Sequence, residues 1–326
     1  MDLSPVTTLE QLHAFSAVET ASHAHDFVGL PADPVEELVP LLDGKPHAGG
    51  LTRLHLASSG GVPVGTLTIT LPLLDNLSTA TLNGQIHPDH RRRGLGRQLL
   101  AAGIAAVRDE GRTRVFVEAH APVTSGDGPA GPLLRSTGAR PVLDEHRRLL
   151  DLSVHPPGPM PTAPAGYRLV QWQDRCPDEL VDGAAYLMGR MTTDAPMGEM
   201  DYEPERWDAE RYREKEGDAL LRGRRRVATA VLCEGDGSVA GITDIGVNRS
   251  RTEVAYQWDT IVDPDHRGHG LGRALKQANH SLLVDAVTGV RWVNTWNAAS
   301  NAHMVRVNDA LGFRPMERWL EWQLDL

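Results

Sequence analysis

Two short segments combine residue types and spacing that suit the binding of a phosphate ester. They are Arg91-Arg92-Arg93-Gly94-Leu95-Gly96-Arg97 and Arg267-Gly268-His269-Gly270-Leu271-Gly272-Arg273. Glycines let a backbone turn tightly and approach a ligand with no Cβ in the way. Where such a loop opens a helix, successive amides point outward and the helix dipole favours an anion. A diphosphate is the expected guest. No Lys-Ser/Thr pair follows the last glycine, so neither segment is a Walker A loop, and the spacing differs from the dinucleotide fingerprint. Upstream of the second loop, Glu253, Gln257 and Asp259 share one face of a strand by period-two alternation, with Val254, Tyr256 and Trp258 on the other. A carboxylate there could take a proton from an amine or orient it.

The elements that must position these residues occur twice. His87 to Arg97 recurs as Asp263 to Arg273, at an offset of 176 residues, with Pro-Asp-His-Arg and Gly-Leu-Gly-Arg identical. Each copy follows a strand-like run, Ala80 to Ile86 and Val254 to Val262. Each precedes apolar residues at helical spacing: Leu95, Leu99, Ala102 and Ala106, then Leu271, Leu275, Ala278 and Leu282. Each half closes on a similar strand, Arg148 to Leu152 and Gln323 to Leu326. Two units of this size are too long and too few for a solenoid, so a duplicated domain is expected. The proline-rich run Pro156 to Pro164 can neither continue a helix nor sit inside a sheet. It places an N-terminal domain at 1–155, a linker at 156–165 and a C-terminal domain at 166–326. The order of strands and helices predicts an α/β fold built on mixed sheets.

The halves differ in content. All seven tryptophans and all five tyrosines follow residue 160, while the first half keeps Phe15, Phe27 and Phe116. Over 326 residues, 40% are apolar and 23% charged, an ordinary mix for a packed core. Two cysteines, Cys176 and Cys233, provide no disulfide framework. The first residues lack the basic start and apolar core of a signal peptide, and no run approaches bilayer length. A cytoplasmic protein without membrane partners is expected. A net charge of −10 disfavours nucleic acid as a partner.

The spacing Arg-x-x-Gly-x-Gly after a strand ending in Val-x-Pro resembles the acetyl-CoA loop of the GNAT superfamily of N-acetyltransferases, present here twice. The resemblance implies two tandem GNAT-like domains, each a mixed, mostly antiparallel sheet flanked by helices. It also implies acetyl-CoA as acyl donor, with no metal. Its cofactor-binding positions would be Val262 with Arg267, Gly268, His269, Gly270, Leu271, Gly272 and Arg273. In the first half they would be Ile86 with Arg91, Arg92, Arg93, Gly94, Leu95, Gly96 and Arg97. The second half alone continues with Asn294-Thr295-Trp296-Asn297, Asn301, Met304, Asn308 and Leu311-Gly312-Phe313. This is similar to the later GNAT motif, in which a helix supplies an Asn to CoA. Asn301 matches that position, and Asn297 lies near it; helix capping is the other use of both. The first half has Ser125-Gly126-Asp127-Gly128-Pro129 instead. It reads as a degenerate copy, as in the mycothiol-synthase-like arrangement where one half carries catalysis.

Direct acyl transfer from a thioester needs an amine free of its proton, donors for the oxyanion and a stabilised leaving thiolate. The resemblance puts the oxyanion donor, a backbone N–H, near Val262. It puts a catalytic Glu close to Glu253, one residue out of register, and Asp259 is the second acidic candidate. The family's Tyr acid is replaced by Asn308; a thiol, with pKa about 8.5, is a fair leaving group unaided. His266 and His269 lie within the loop and suit a structural role, and His303 is unassigned. The acceptor region is expected between Tyr186 and Trp207, where methionines, aromatics and carboxylates suit a small cationic amine. The expected activity is acetyl-CoA-dependent N-acylation of a small-molecule amine by a monomer or homodimer. The alternative is a CoA-binding sensor or scaffold without transfer.

Overall fold

The computed structural model describes residues 1–124 and 126–326, so Ser125 of the Ser125–Pro129 segment lies outside the described residues. The chain forms two compact units. The first comprises Met1–Glu145, Gly198–Asp201 and Glu317–Leu326; the second comprises His146–Met197 and Tyr202–Met316.

In the first unit, β1 (Asp2–Pro5), β2 (Gly50–Ser59), β3 (Val62–Pro72) and β4 (Thr79–Ile86) form an antiparallel series. β5 (Arg114–Ala121) joins β4 in parallel. Helix α1 (Leu9–Asp26) starts at a capping box, Thr8 with Gln11, and buries Leu12, Phe15 and Val18. A short α2 (Val35–Leu38) follows it, and α3 (Leu95–Asp109) crosses from β4 to β5. A short α4 (Gly131–Ser136) then leads to β6 (Arg140–Asp151). The second unit repeats the plan. β7 (Tyr167–Gln173), β8 (Arg224–Cys233), β9 (Val239–Asn248) and β10 (Arg251–Val262) are antiparallel, and β11 (Trp292–Ala298) is parallel to β10. Its helices are α5 (Val181–Asp194), α6 (Ala209–Leu221), α7 (Leu271–Ala286) and α8 (Ala302–Ala310). β9 is buried along almost its whole length, as expected for a strand covered by helices on both faces.

The closing strands are exchanged. β12 (Arg314–Asp325) begins in the second unit, but its Glu317–Asp325 portion belongs to the first, antiparallel to β5. The His146–Asp151 end of β6 lies beside β11 in the second unit. The chain thus leaves the first unit inside a strand, at Glu145, and 156–165 falls within the second. Proline content marks where regular structure stops, whereas this exchange depends on pairing over more than 190 residues. It also moves two tryptophans: Trp319 and Trp322 belong to the first unit. Among the described residues, no helix is long and apolar enough to cross a membrane.

Candidate functional site

In the second unit, β10 pairs with β11 only over Val254–Tyr256 and Trp292–Asn294. Beyond that the two strands part. β10 also changes register against β9 between Gln257 and Thr260, as at a β-bulge. Asp263 N–H donates to Ala240 O at 2.9 Å, toward β9. By alternation Thr260 and Val262 turn their N–H groups the other way, into the gap. The first unit matches: β4 pairs with β5 over Thr79–Leu82 only, and His87 N–H donates to Val64 O, which turns Gly84 and Ile86 toward the gap.

Each gap leads to a glycine loop. Gly94 (φ +80°) and Gly270 (φ +74°) are left-handed N-caps of α3 and α7. No side chain caps either helix, whereas α1, α6 and α8 are capped by Thr8, Asp208 and Asn301. The first-turn amides Leu95, Gly96 and Arg97, and likewise Leu271, Gly272 and Arg273, have no acceptor within their own helix. A bare helix N-terminus of this kind attracts an anion. A Cβ on Gly94 or Gly270 would meet no atom within 4 Å, so the approach is open.

The first arginine of each motif is engaged with its own strand end and with a helix end. Arg267 Nε donates to Val262 O at 3.2 Å, and its Nη2 lies 2.8 Å from Asp194 Oδ2 at the end of α5. Arg91 Nε donates to Ile86 O at 2.9 Å, and its guanidinium grips both carboxylate oxygens of Asp26 at the end of α1. Both arginines anchor the loop to a helix end. Burial pulls the Asp26 pKa up, but its hydrogen bonds from Arg91 and His25 win and hold it at about 2. Arg93 bonds Asp89 O within its own loop, and Arg92 stands at φ +62°, where the second unit has Gly268. His266 bonds the Tyr167 hydroxyl at 3.1 Å, and His269 bonds His266 O at 3.2 Å, so both histidines brace the loop.

Where β10 and β11 part, a cavity of about 460 Å³ opens between β10 and α6. Trp258, Trp296, Gln257 and Asp259 line it with Lys215, Asp218, Arg224 and Arg226. Asp259 Oδ2 is 2.7 Å from Lys215 Nζ, and its N–H donates to Asp244 Oδ1 at 3.2 Å. The register change brings Gln257, Trp258 and Asp259 to one cavity, against simple alternation. Lys215 and Arg226 are far away in sequence and carry no motif, and Trp296 stands in the Asn294–Asn297 segment with nothing there to place it on this wall; their signal is tertiary.

Two expected catalytic residues lie elsewhere. Glu253 is exposed at the far end of β10, four residues before Gln257, roughly 13 Å along an extended strand. Asn308 is fully buried, accepting from Lys276 Nζ at 2.7 Å and donating to Asn297 Oδ1 at 3.0 Å. Both ends of its amide, and the Oδ1 of Asn297, are thus committed to the core. Burial, with the Arg148 guanidinium nearby, pushes the Lys276 pKa down to about 7. Asn301 caps α8 by accepting from Met304 N–H at 3.1 Å. His303 is exposed on α8. In the expected acceptor region, Met188 is buried in the core and Asp194 is the anchor of Arg267. Met200 and Asp201 fall in the first unit.

The first unit lacks this wall. Asn83 stands at the repeat position of Asp259. Glu118 and Glu321 face each other across β5 and β12. Burial and the neighbouring Glu145 raise the Glu118 pKa to about 7; burial, Glu118 and Glu145 raise that of Glu321 to about 8. Among the described residues, no cluster of His, Cys, Asp or Glu has the arrangement of a metal site.

Comparison with known proteins gives one consistent result. The family model for the acetyltransferase (GNAT) family matches residues 21–125 and again 196–313. A mycothiol acetyltransferase of Cellulomonas flavigena is 32% identical over 308 residues, covering 91% of this chain and 81% of its own. A second, from Thermobispora bispora, is 29% identical over 242 residues, covering 72% and 71%. Among solved structures, a tandem GNAT protein from the clavulanic acid biosynthesis pathway superposes with a TM-score of 0.82 at 30% identity, covering 99% and 98% of the two chains. A Sphaerobacter thermophilus GCN5-related N-acetyltransferase, 19% identical, shares the fold with a TM-score of 0.69 over 99% and 95%.

Proposed function

The chain belongs to the GNAT family of N-acetyltransferases as a tandem-domain member, and from that premise we propose that its second unit acylates a small-molecule amine with acetyl-CoA as donor. The observation that carries the reading is the sequence of three features along β10: a bulge beside the cavity, a gap toward β11, and an uncapped helix N-terminus. The amides of Gly270 to Arg273 suit the diphosphate of CoA. The Thr260 and Val262 N–H groups suit the amide-bearing arm, which brings a thioester to the level of Gln257–Asp259. The acetyl-CoA positions are therefore the backbone of Val262, Gly268, Gly270, Leu271, Gly272 and Arg273, with Arg267 holding the loop in shape.

The ammonium first gives up one proton to Asp259 or to water, and the free amine nitrogen then attacks the thioester carbonyl; a C–N bond forms, the C–S bond breaks, and the nitrogen's surplus proton leaves with the thiolate as CoA thiol. Asp259, paired with Lys215, draws a cationic acceptor into the cavity, while Trp258 and Trp296 exclude water and so strengthen each hydrogen bond to the developing oxyanion. No side chain is needed as acid for a thiolate, whose conjugate acid has a pKa of about 8.5. The test is thiol release from acetyl-CoA over a panel of amines, with calorimetric titration of acetyl-CoA into the protein and into Gly270→Asp. Release on any amine, with acetyl-CoA affinity lost in the variant, upholds the proposal. Equal affinity in both proteins moves the donor site elsewhere, and binding without release on any amine leaves a CoA-binding sensor.

A further inference from the structure

Lys276 stands on the buried face of α7, 1% exposed, and no step of acyl transfer calls on it. Its Nζ donates to the neutral amide oxygen of Asn308 and lies 5.5 Å from the centre of the Phe313 ring. Among the described residues it forms no ion pair, and Asp309, the acid beside it on α8, is paired with Arg148. A buried ammonium without a counter-charge is costly. At the same place in the repeat the first unit has Leu100. An unpaired cation where the twin helix has leucine breaks the rules of core packing, and such breaks gather at functional sites.

The place on α7 indicates which site. Helical side chains lean toward the N-terminus, and Lys276 follows Leu271 by five residues, roughly 7.5 Å along the axis from the open amides of Leu271, Gly272 and Arg273. Its surroundings supply no balancing charge. β6 presents Arg148 in its pair with Asp309, and α8 presents Asn308. His280, one turn further along α7, is kept neutral, its pKa pushed down to about 3 by burial and by Lys276. The strands under α7 present Gln171 and Thr229, both neutral, with Arg225 on Ala286 O at the far end. In the loop, Arg267 is paired with Asp194, Arg273 is exposed, and His266 and His269 carry imidazoles.

We propose that Lys276 is a proton-linked counter-charge for the donor's diphosphate: anion binding at the α7 N-terminus favours its ammonium form, and a rise in pH that neutralises the lysine weakens the donor. This deepens the acyl-transfer reading and rests on it for the identity of the anion. Lys276 acts through its field and does not touch the donor. Burial and Arg148 bring its pKa down to about 7 in the free protein, so its charge changes in neutral solution. A bound anion raises that value, so affinity is full at low pH and falls as pH climbs through the free and then the bound pKa. An ammonium and a doubly charged anion roughly 10 Å apart, screened by salt, are worth about tenfold in affinity. Linkage of that size takes up about half a proton per ligand near pH 7.5.

The experiment is calorimetric titration of dephospho-CoA, whose diphosphate does not titrate between pH 6 and pH 9, in HEPES and in Tris, whose different ionisation heats reveal proton uptake. The Gly94→Asp protein is the parent, which confines binding to the second unit. It should take up about half a proton at pH 7.5 and bind about tenfold more tightly at pH 6 than at pH 9. Adding Lys276→Met should leave binding at every pH as weak as the parent's at pH 9. Adding Lys276→Arg, which keeps its charge, should leave it tight throughout, and both should lose the proton uptake. Unchanged uptake in Lys276→Met overturns the proposal and gives the proton to His266 or His269. Should Lys276→Met fail to fold, a Lys276→Arg profile that falls like the parent's overturns it instead. Binding by the parent without proton uptake defeats this inference alone, whereas no binding at any pH removes the donor site and the acyl-transfer reading with it.

Discussion

The two loops are nearly superimposable in design and unlike in surroundings. Arg91 and Arg267 each bond the last carbonyl of a strand and an aspartate ending a helix, Asp26 or Asp194. Gly94 and Gly270 each cap a helix in the left-handed conformation. Beyond the loop the units part company. The second has Asp259, two tryptophans and an Asn-capped α8; the first has Asn83, a six-residue α4 without a cap and carboxylates facing one another. Loop geometry rests on bonds within one short segment and one helix end, so it survives drift. A reactive cavity needs side chains from several elements, and one change spoils it.

The sharpest way to break this comparison is one substitution in each loop. Gly270→Asp puts a carboxylate at the proposed diphosphate site, on a backbone that L residues resist, and should cut thiol release by at least about a hundredfold. Gly94→Asp should leave turnover largely intact while removing any CoA bound by the first unit. Activity lost only in Gly94→Asp would reverse the assignment of the catalytic half.

The next effect concerns stability. Glu321 has an ordinary pKa of 4.5 that burial, Glu118 and Glu145 raise to about 8 in the fold. A carboxyl group with a raised folded pKa favours the neutral form, so its contribution is greatest below pH 4.5 and declines as pH rises toward 8. Glu321→Gln should therefore stabilise the protein at pH 8 by about 2 kcal/mol and have little effect at pH 4.5. Asp26 has the opposite sign: its stabilisation is present above pH 4 and lost as pH falls through about 2. Urea melts of the wild type and Glu321→Gln at pH 4.5, 6 and 8 give the check, and a pH-independent difference contradicts it.

Smaller effects sharpen the picture. Asp259→Asn, which makes the second wall like the first, should raise the KM for a cationic acceptor about tenfold with acetyl-CoA affinity unchanged. Steady-state kinetics in both substrates separates these terms. Arg92→Gly, which gives the first loop the glycine of the second, removes a left-handed arginine and should add about 1 kcal/mol, read as a rise of a few degrees in Tm.

Most of the fold was legible because the repeat pattern, the strand–loop–helix order and the glycines are local signals. So were the two open helix N-termini, since amides need no particular side chain. Of the cavity between β10 and α6, Gln257, Trp258, Asp259 and Trp296 were singled out in the sequence, but not their meeting at one place. Glu253 was suggested by the family resemblance, one residue out of register by counting along an ideal strand, and the register changes in β10 defeat such counting. Asn308 occupies a familiar position, but its environment is set by Lys276, thirty-two residues earlier, which no helix pattern singles out as buried. Trp319 and Trp322 were credited to the wrong unit because strand exchange leaves no mark on composition.

That exchange also bears on how such a molecule is made and kept. Residues 114–121 of β5 must wait for residues 318–325 before their open edge is covered, so the first unit, though synthesised early, is completed last. Cutting the gene at the proline-rich run would deprive each fragment of a strand: 1–155 would lack β12, and 166–326 would lack the end of β6. Neither half can therefore shed the other. Each unit lends the other a strand, so the binding surfaces of either are free to change while its sheet is not.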